Sequence, residues 1–92
     1  MVGLDSIDMT KHFIYVLESA YGNFYTGYTT DLKRRMQEHK EGRGAKFTKA
    51  FGFRKLLYHE TFRSKSVALK REAEIKSWPK DKKAELIQKI RD

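Results

Sequence analysis

The sequence predicts a small mixed α/β (α+β) domain with three strands and three helices in the order ββαβαα. Short runs rich in aromatic and β-branched residues indicate strands, and longer runs with apolar residues at helical spacing indicate helices. Turn and capping residues separate these runs. The 92 residues suffice for one domain, which has no cysteine and therefore depends on good packing, or on a partner, for its stability.

A β-hairpin is predicted at the start of this domain. Residues 13–17 (FIYVL) are aromatic or aliphatic throughout, which favours a buried strand. Gly22 and Asn23 follow, and both tolerate the positive φ angles of a tight turn. Residues 24–28 (FYTGY) form the return strand of the hairpin.

The hairpin leads into a helix whose start and end are both marked by capping residues. Thr29 or Thr30 is a candidate N-cap, and Asp31 lies in the first turn, where the helix dipole favours an anion. Gly42 marks the end, because glycine readily adopts the left-handed conformation that commonly follows a helix.

The inward stripe of this helix comprises Leu32, Met36 and His39, and Arg35 lies beside it. Arg35 comes one turn after the strand-to-helix junction, where a guanidinium group suits phosphate oxygens. A cation at the edge of an apolar stripe more commonly extends to water. His39 is typically a packed residue at such a position, although it could also bind phosphate or transfer a proton.

A mobile basic loop is predicted for residues 41–54, because three glycines interrupt this segment. Its cations alternate with three phenylalanines, and together they could grip a strand of nucleic acid. A solvated loop without a ligand is the alternative. The candidate nucleic-acid-binding residues are Arg43, Lys46 and Lys49.

A third strand and two further helices complete the chain. The strand is predicted for residues 55–62, and its pairing direction stays open. Ser64 or Ser66 caps a helix that ends near Lys76, and Pro79 suits the first turn of the last helix. The apolar face of the last helix comprises Ala84, Leu86, Ile87 and Ile90.

Glu72 is the unusual residue of the helix that ends near Lys76. It projects on the same side as Ala68 and Ile75, in the middle of the apolar stripe. A carboxylate is costly to bury unless it is paired or binds a metal ion. An ordinary ion pair, or a different helical phase, would explain the position of Glu72 without a functional role.

The net charge of +8 indicates a polyanionic partner, because clustered cations release counterions from phosphate backbones. Abundant aromatic residues favour nucleic acid, since bases stack on aromatic rings. A membrane partner is not expected, because no apolar run could cross a bilayer and the basic runs lack a wide apolar face. The absence of cysteine fits the cytoplasm.

The first ten residues lack periodicity and a signal-peptide pattern. We therefore expect a flexible leader over residues 1–10 and one compact domain over residues 11–92. Met9 offers an alternative start within this leader.

We expect five residues of the sequence to lie close together: two tyrosines, a glycine, an arginine and a glutamate. Tyr15 and Tyr25 are each more typical of packing than of catalysis, since aromatic residues favour strands for steric reasons. Their combination with Gly27, Arg35 and Glu72 at one sheet surface is what suggests a functional site.

These residues resemble the GIY-YIG nuclease domain. The resemblance is carried by FIY at 13–15, YTG at 25–27, DLKRR at 31–35, and Arg71 followed by Glu72 on a later helix. Phe13 stands where the family has glycine, and Thr26 where it has isoleucine. The pattern is most similar to short stand-alone bacterial members related to the nuclease domain of the excision-repair subunit UvrC.

The resemblance implies a three-stranded antiparallel sheet flanked by helices and hydrolysis of a phosphodiester bond by water. It implies that Tyr15 is the general base and that Tyr25 orients the water or phosphate. Arg35 would stabilise the pentacovalent phosphate, and His39 would support this chemistry. Gly27 would let the backbone turn closely beneath the site.

The resemblance further implies one divalent cation, Mg²⁺ or Mn²⁺, held by Glu72. The substrate would be DNA rather than RNA, with structured or damaged DNA as a candidate. A targeting protein could supply the specificity that a single basic domain lacks, and we expect a monomer. A non-catalytic nucleic-acid-binding module with the same fold is the alternative function.

Overall fold

The computed structural model of the protein describes residues 9–91, with side chains for residues 9–89. Within that range the chain forms three strands and four helices in the order ββααβαα. The elements are β1 (His12–Glu18), β2 (Phe24–Thr29), α1 (Leu32–Lys40), α2 (Lys46–Phe51), β3 (Lys55–Phe62), α3 (Lys65–Lys76) and α4 (Lys80–Arg91). The predicted fold class is confirmed, and α2 is an addition to the predicted order.

The sheet has β1 in its centre, between β2 and β3, and both neighbours pair with it antiparallel. The strand pattern does not predict the direction in which the third strand pairs. The observed direction is antiparallel, as the GIY-YIG resemblance implies. The register places Tyr15 opposite Gly27 on β2 and opposite His59 on β3. A β-bulge between Val16 and Leu17 interrupts the pairing with β3.

The hydrophobic core lies between one face of the sheet and α3. Ile14 and Val16 point to this face because side chains alternate along a strand, and they pack with Tyr58, Ala68 and Ile75. Burial of each large apolar side chain contributes about 1.5–3 kcal/mol. Tyr15 therefore points to the opposite face, which α1 covers.

Asp31 is the N-cap of α1, and its side chain accepts a hydrogen bond from the Arg34 amide at 3.0 Å. The expected cap at Thr29 or Thr30 is thus wrong by one or two positions. Thr29 instead accepts a hydrogen bond from the Asp31 amide at 3.1 Å, which holds the capping residue in place. The predicted end at Gly42 is confirmed by its φ of +76°.

Helix α2 lies where the sequence predicts a mobile loop. Its N-cap, Ala45, forms no side-chain capping hydrogen bond, so the sequence lacks the usual helix start. Tertiary contact stabilises the helix instead, because the Phe47 ring stacks on Tyr25 with 5.2 Å between centroids. Gly52, with φ of +76°, ends the helix.

The last two helices begin close to the predicted positions. Ser64 is the N-cap of α3 and accepts a hydrogen bond from the amide three residues later at 3.2 Å. Pro79 directly precedes α4, in which Ile87 is buried as predicted. Ala84 is exposed, contrary to its expected place on the apolar face, and the Ile90 side chain lies outside the described residues.

Of the predicted leader, residues 1–8 lie outside the described range, so the division into leader and domain stays a prediction. Among residues 9–91, every helix is too short or too polar to cross a membrane.

Candidate active site

A buried hydrogen-bond relay connects Tyr15 on β1, His39 on α1 and Thr48 on α2. The Tyr15 hydroxyl lies 2.7 Å from His39 Nε2, and His39 Nδ1 lies 2.8 Å from Thr48 Oγ1. None of the three side chains is more than 3 % exposed. The relay therefore joins a strand to two helices away from bulk water.

The far end of the relay fixes the direction of its hydrogen bonds. Thr48 Oγ1 donates its only proton to the Ala45 carbonyl oxygen at 3.3 Å, so it accepts from His39 Nδ1–H. The lone pair of the neutral imidazole is then on Nε2. The Tyr15 hydroxyl consequently donates to His39 and leaves its own oxygen able to accept a further proton.

Two glycines make room for this relay. A Cβ atom on Gly27 would lie 2.4 Å from the Tyr15 hydroxyl oxygen and 2.5 Å from Cζ. A Cβ atom on Gly44 would lie 2.6 Å from His39 Nδ1. Any side chain at either position would displace the phenol or the imidazole. The absence of a side chain at Gly27 thus lets the Tyr15 ring lie close to the backbone of β2.

Burial determines the protonation states of both ring systems. It raises the pKa of Tyr15 to about 12, with smaller contributions from Tyr25 and the negative charge of Glu72, while Arg35 opposes the rise. Burial and the positive charge of Arg35 lower the pKa of His39 to about 4. At neutral pH the resting site therefore holds a neutral phenol and a neutral imidazole.

Arg35 presents an uncommitted donor at this site. One terminal nitrogen donates to Glu38 Oε1 at 3.0 Å, which orients the guanidinium group. Its Nε atom is buried and has no hydrogen-bond partner among the described residues. A buried donor without a partner is costly, and a phosphate oxygen would satisfy it.

Tyr25 lies beside the relay rather than in it. Its ring is 6.3 Å from the Tyr15 ring and 5.6 Å from the His39 ring, measured between centroids. The structure therefore brings together the two phenols, the arginine and the histidine that the sequence indicates.

Glu72 is mostly buried on α3, with Ala68 and Ile75 fully buried on the same helix. Its Oε2 atom lies 3.2 Å from Lys76 Nζ, so the ion pair expected as an alternative does form. The carboxylate nevertheless acts on the site, because its charge raises the pKa of Tyr15.

The donor set fits a cation that takes few ligands from the protein. No group of three or more acidic, histidine or cysteine side chains converges among residues 9–89. Mg²⁺ is commonly held by one or two carboxylates, with waters and substrate phosphates completing the shell. Glu72 is suited to such a site, whereas a structural metal centre is not supported.

The three candidate nucleic-acid-binding residues lie on or beside α2. Lys46 and Lys49 are exposed on the helix itself. Arg43 precedes it and forms an ion pair with Glu41, to which its Nε donates at 2.9 Å.

Arg71, the neighbour of Glu72, has a structural role on the other face of the sheet. Its guanidinium group donates to both carboxylate oxygens of Glu60, at 2.8 and 2.9 Å. It also pairs with Glu74 at 2.9 Å. These bonds join α3 to β3 across the core.

Gly44 and Thr48 are two residues of the site that carry no recognisable signal in the sequence. Gly44 is one of three glycines in the predicted loop, and no spacing rule connects Thr48 to a histidine nine residues earlier. Both contacts arise from the docking of α2 against α1, which is a tertiary event.

The antiparallel sheet and the cluster of phenols, imidazole and guanidinium define a small nuclease-type domain. The sequence matches the family described as the GIY-YIG catalytic domain over residues 11–85, and the chain belongs to that family.

The relatives in this family include small proteins of the same length class. The chain is 47 % identical over 79 residues to a UPF0213 protein of Staphylococcus saprophyticus, covering 86 % of this chain and 96 % of the relative. A UPF0213 protein of Staphylococcus aureus is 44 % identical over 79 residues, with the same shares covered.

A solved structure supports the fold. The solution NMR structure of a UPF0213 protein from Bacillus halodurans superposes with a TM-score of 0.56 at 41 % identity, over 85 % of this chain and 83 % of that chain. The family provides the nuclease class, and the names of these relatives state no activity. The reaction must therefore be inferred from the site.

Proposed function

We propose that the protein is an endonuclease that hydrolyses phosphodiester bonds in DNA with one divalent cation. The observation that carries this proposal is the buried relay of Tyr15, His39 and Thr48 beside Arg35, whose Nε lacks a hydrogen-bond partner. Such an arrangement combines a proton acceptor with a phosphate-binding group, which are two requirements of hydrolysis by water.

The relay explains how a phenol with a raised pKa acts as a base. A phenolate would be scarce at neutral pH, because the pKa of Tyr15 is about 12. Tyr15 instead takes a proton from the attacking water while its own proton moves to His39 Nε2. The water oxygen forms a bond to phosphorus as the bond from phosphorus to the leaving sugar oxygen breaks, and the leaving oxygen takes its proton from solvent.

Arg35 supplies the charge that this step needs. Its Nε would donate to a phosphate oxygen, which gains negative charge as phosphorus becomes pentacovalent. Tyr25, whose ring contacts both Tyr15 and His39, would orient the water or the phosphate. Arg35 also favours ionisation of Tyr15, since its positive charge lowers the pKa of that phenol.

Glu72 is the proposed ligand of Mg²⁺ or Mn²⁺. An ion held there would supply positive charge that offsets the negative charge gained during hydrolysis. A Glu72 carboxylate that was neutralised in this way would no longer raise the pKa of Tyr15. Release of Glu72 from Lys76, which lies 3.2 Å away on the exposed side, is part of this proposal.

The proposed substrate is DNA, recognised mainly through its phosphates. The net charge of +8 supports binding to a polyanion. DNA repair is the proposed context, with structured or damaged DNA as substrate and a protein partner supplying any targeting. A monomeric state and a cytoplasmic location belong to the same proposal, the latter supported by the absence of cysteine.

One observation favours a second candidate, a nucleic-acid-binding module without catalysis. Glu72 is paired with Lys76, and the phenol and imidazole are both neutral at rest. A chain in which this pair never opens would bind nucleic acid through its cations and leave it intact.

Cleavage of labelled single-stranded, duplex, nicked and branched DNA with Mg²⁺ or Mn²⁺ tests the proposal. Glu72→Gln should abolish cleavage and retain DNA binding, because it removes the charge at nearly constant volume. Glu74→Gln is the matched control on the same helix, since this side chain is 54 % exposed and pairs only with Arg71 among the described residues. Salt-sensitive binding without cleavage by the parent protein would instead support the second candidate.

A further inference from the structure

Four aromatic rings form a continuous row from the candidate active site to the surface. We call Tyr15, Tyr25, Phe47 and Phe51 the aromatic row. Its successive centroids are 6.3, 5.2 and 5.2 Å apart, and Tyr25 and Phe47 are stacked with 29° between their planes. Spacings of this size are those of favourable aromatic pairs.

The outer end of the row is open to solvent. Phe51 is 44 % exposed, although phenylalanine is usually buried. The Ala20 amide donates to the Phe51 carbonyl oxygen at 3.1 Å, which ties this end of α2 to the hairpin turn. Tyr21, the next residue on that turn, is 78 % exposed. Two exposed rings thus lie at the same end of the sheet.

Unpaired cations accompany the row. Lys46 and Lys49 are exposed on α2, the helix that also carries Phe47 and Phe51. Neither lysine forms an ion pair with an acidic side chain of the described residues. Rings that alternate with cations along a helix match the repeat of a nucleic-acid strand, in which flat bases alternate with phosphates.

We propose that the outer end of the aromatic row is a stacking site for unpaired bases, which guides a strand with single-stranded character to the candidate active site. Bases inside a duplex already stack on their neighbours, so only unpaired nucleotides can use Phe51. This inference rests on the proposed function for the identity of the ligand, and it narrows the substrate to DNA with unpaired nucleotides next to the scissile phosphate.

Binding to two oligonucleotides without divalent metal tests this stacking site separately from cleavage. One is a single strand of thymidines, and the other has the same phosphates but abasic sugars. The parent protein should bind the thymidine strand at least about fivefold more tightly, since stacking of one base contributes about 1 kcal/mol or more. Phe51→Leu should reduce this ratio to near one, and Phe51→Trp should preserve it.

Two control variants separate stacking from charge and from general apolarity. Lys49→Ala should weaken binding of both strands equally and lower the salt slope by about 0.7, because it removes one phosphate contact. Leu69→Ala, at an exposed apolar position on α3, should change neither affinity. Circular dichroism checks that each variant is folded.

Equal affinity of the parent protein for the two oligonucleotides would overturn the inference, as would an unchanged ratio in Phe51→Leu. The row would then serve only to hold α2 against β2. A stacking preference in a protein that cleaves no DNA would support the row and refute the endonuclease. Cleavage without a preference for unpaired bases would support the endonuclease and refute the stacking site.

Discussion

Gly27 lies directly opposite Tyr15 in the antiparallel pairing of β1 and β2, and the Tyr15 ring lies over its backbone. A Cβ atom at Gly27 would come within 2.4 Å of the phenol oxygen. The glycine is therefore required by the position of the Tyr15 ring and not by its own backbone angles, because its φ is not positive.

Gly27→Ala should lower both stability and cleavage. The Tyr15 ring is fully buried, so relief of the clash must move the ring or separate the strands. Overpacking of this kind typically costs about 1–3 kcal/mol. Thermal unfolding and the single-turnover cleavage rate measure the two effects.

Gly22→Asn is the control for this substitution. Gly22 has a φ of +84° that asparagine tolerates, and nothing lies within 4 Å of its Cβ position. The stability and activity of Gly22→Asn should match those of the parent protein. If Gly27→Ala cleaved DNA at the rate of the parent protein, this result would contradict the proposed role of Tyr15 as the base.

Thr48→Val should impair the relay without creating a cavity. Valine matches threonine in volume but leaves His39 Nδ1–H buried without an acceptor, which costs about 1–3 kcal/mol. The imidazole would also lose the bond that fixes its tautomer, so cleavage should fall. Urea unfolding and cleavage rates at one pH measure both losses.

Thr48→Ser retains the hydroxyl group and should recover most of the cleavage rate. If Thr48→Val and Thr48→Ser lose activity equally, the methyl group and not the hydrogen bond to His39 is what matters.

Arg35→Ala should reduce cleavage far more than DNA binding. Loss of a group that stabilises transition-state charge lowers kcat by about 10²–10³, whereas loss of one phosphate contact weakens binding much less. Arg34→Ala is the matched control, because Arg34 adjoins Arg35 and its side chain is 62 % exposed. Comparable losses in binding and in kcat would show that Arg35 only anchors phosphate.

Stability should fall as the pH is lowered from about 6.5 towards 4, in part because of His39. The pKa of the folded imidazole is about 4, and that of an unfolded histidine is 6.5. Between these values the unfolded chain binds a proton that the folded protein does not, so acid favours unfolding.

The comparison of parent and His39→Gln in urea isolates this contribution. The other histidines and the carboxylates are common to both proteins, so the difference in free energy of unfolding should shrink as the pH falls through this window. A difference that is independent of pH would place the pKa of His39 near its ordinary value.

The alternation and spacing of residues predicted the strands and the main helices, because those features depend on local periodicity, which a single sequence displays. The roles expected of the site residues come from the resemblance to the GIY-YIG family and stay predictions. The contact between Tyr15 and His39 joins residues 24 positions apart, so it depends on how α1 packs against the sheet.

The helix α2 and the contacts that it makes could not be predicted in the same way. Its sequence has no capping side chain, and neighbouring glycines favour a loop. What stabilises it is the stacking of Phe47 on Tyr25 and the hydrogen bond from His39 to Thr48. These contacts exist only after α1 and the sheet have formed, and no local pattern encodes them.

The relay ends at a backbone carbonyl, and this determines how the site would return to its resting protonation state. The Thr48 hydroxyl donates to the Ala45 carbonyl oxygen, a group that does not accept a proton permanently at physiological pH. A proton that reaches His39 during hydrolysis therefore has no onward route and must return through Tyr15. The imidazole would store one proton per turnover, and the site would be regenerated only when that proton had been returned through Tyr15 to water.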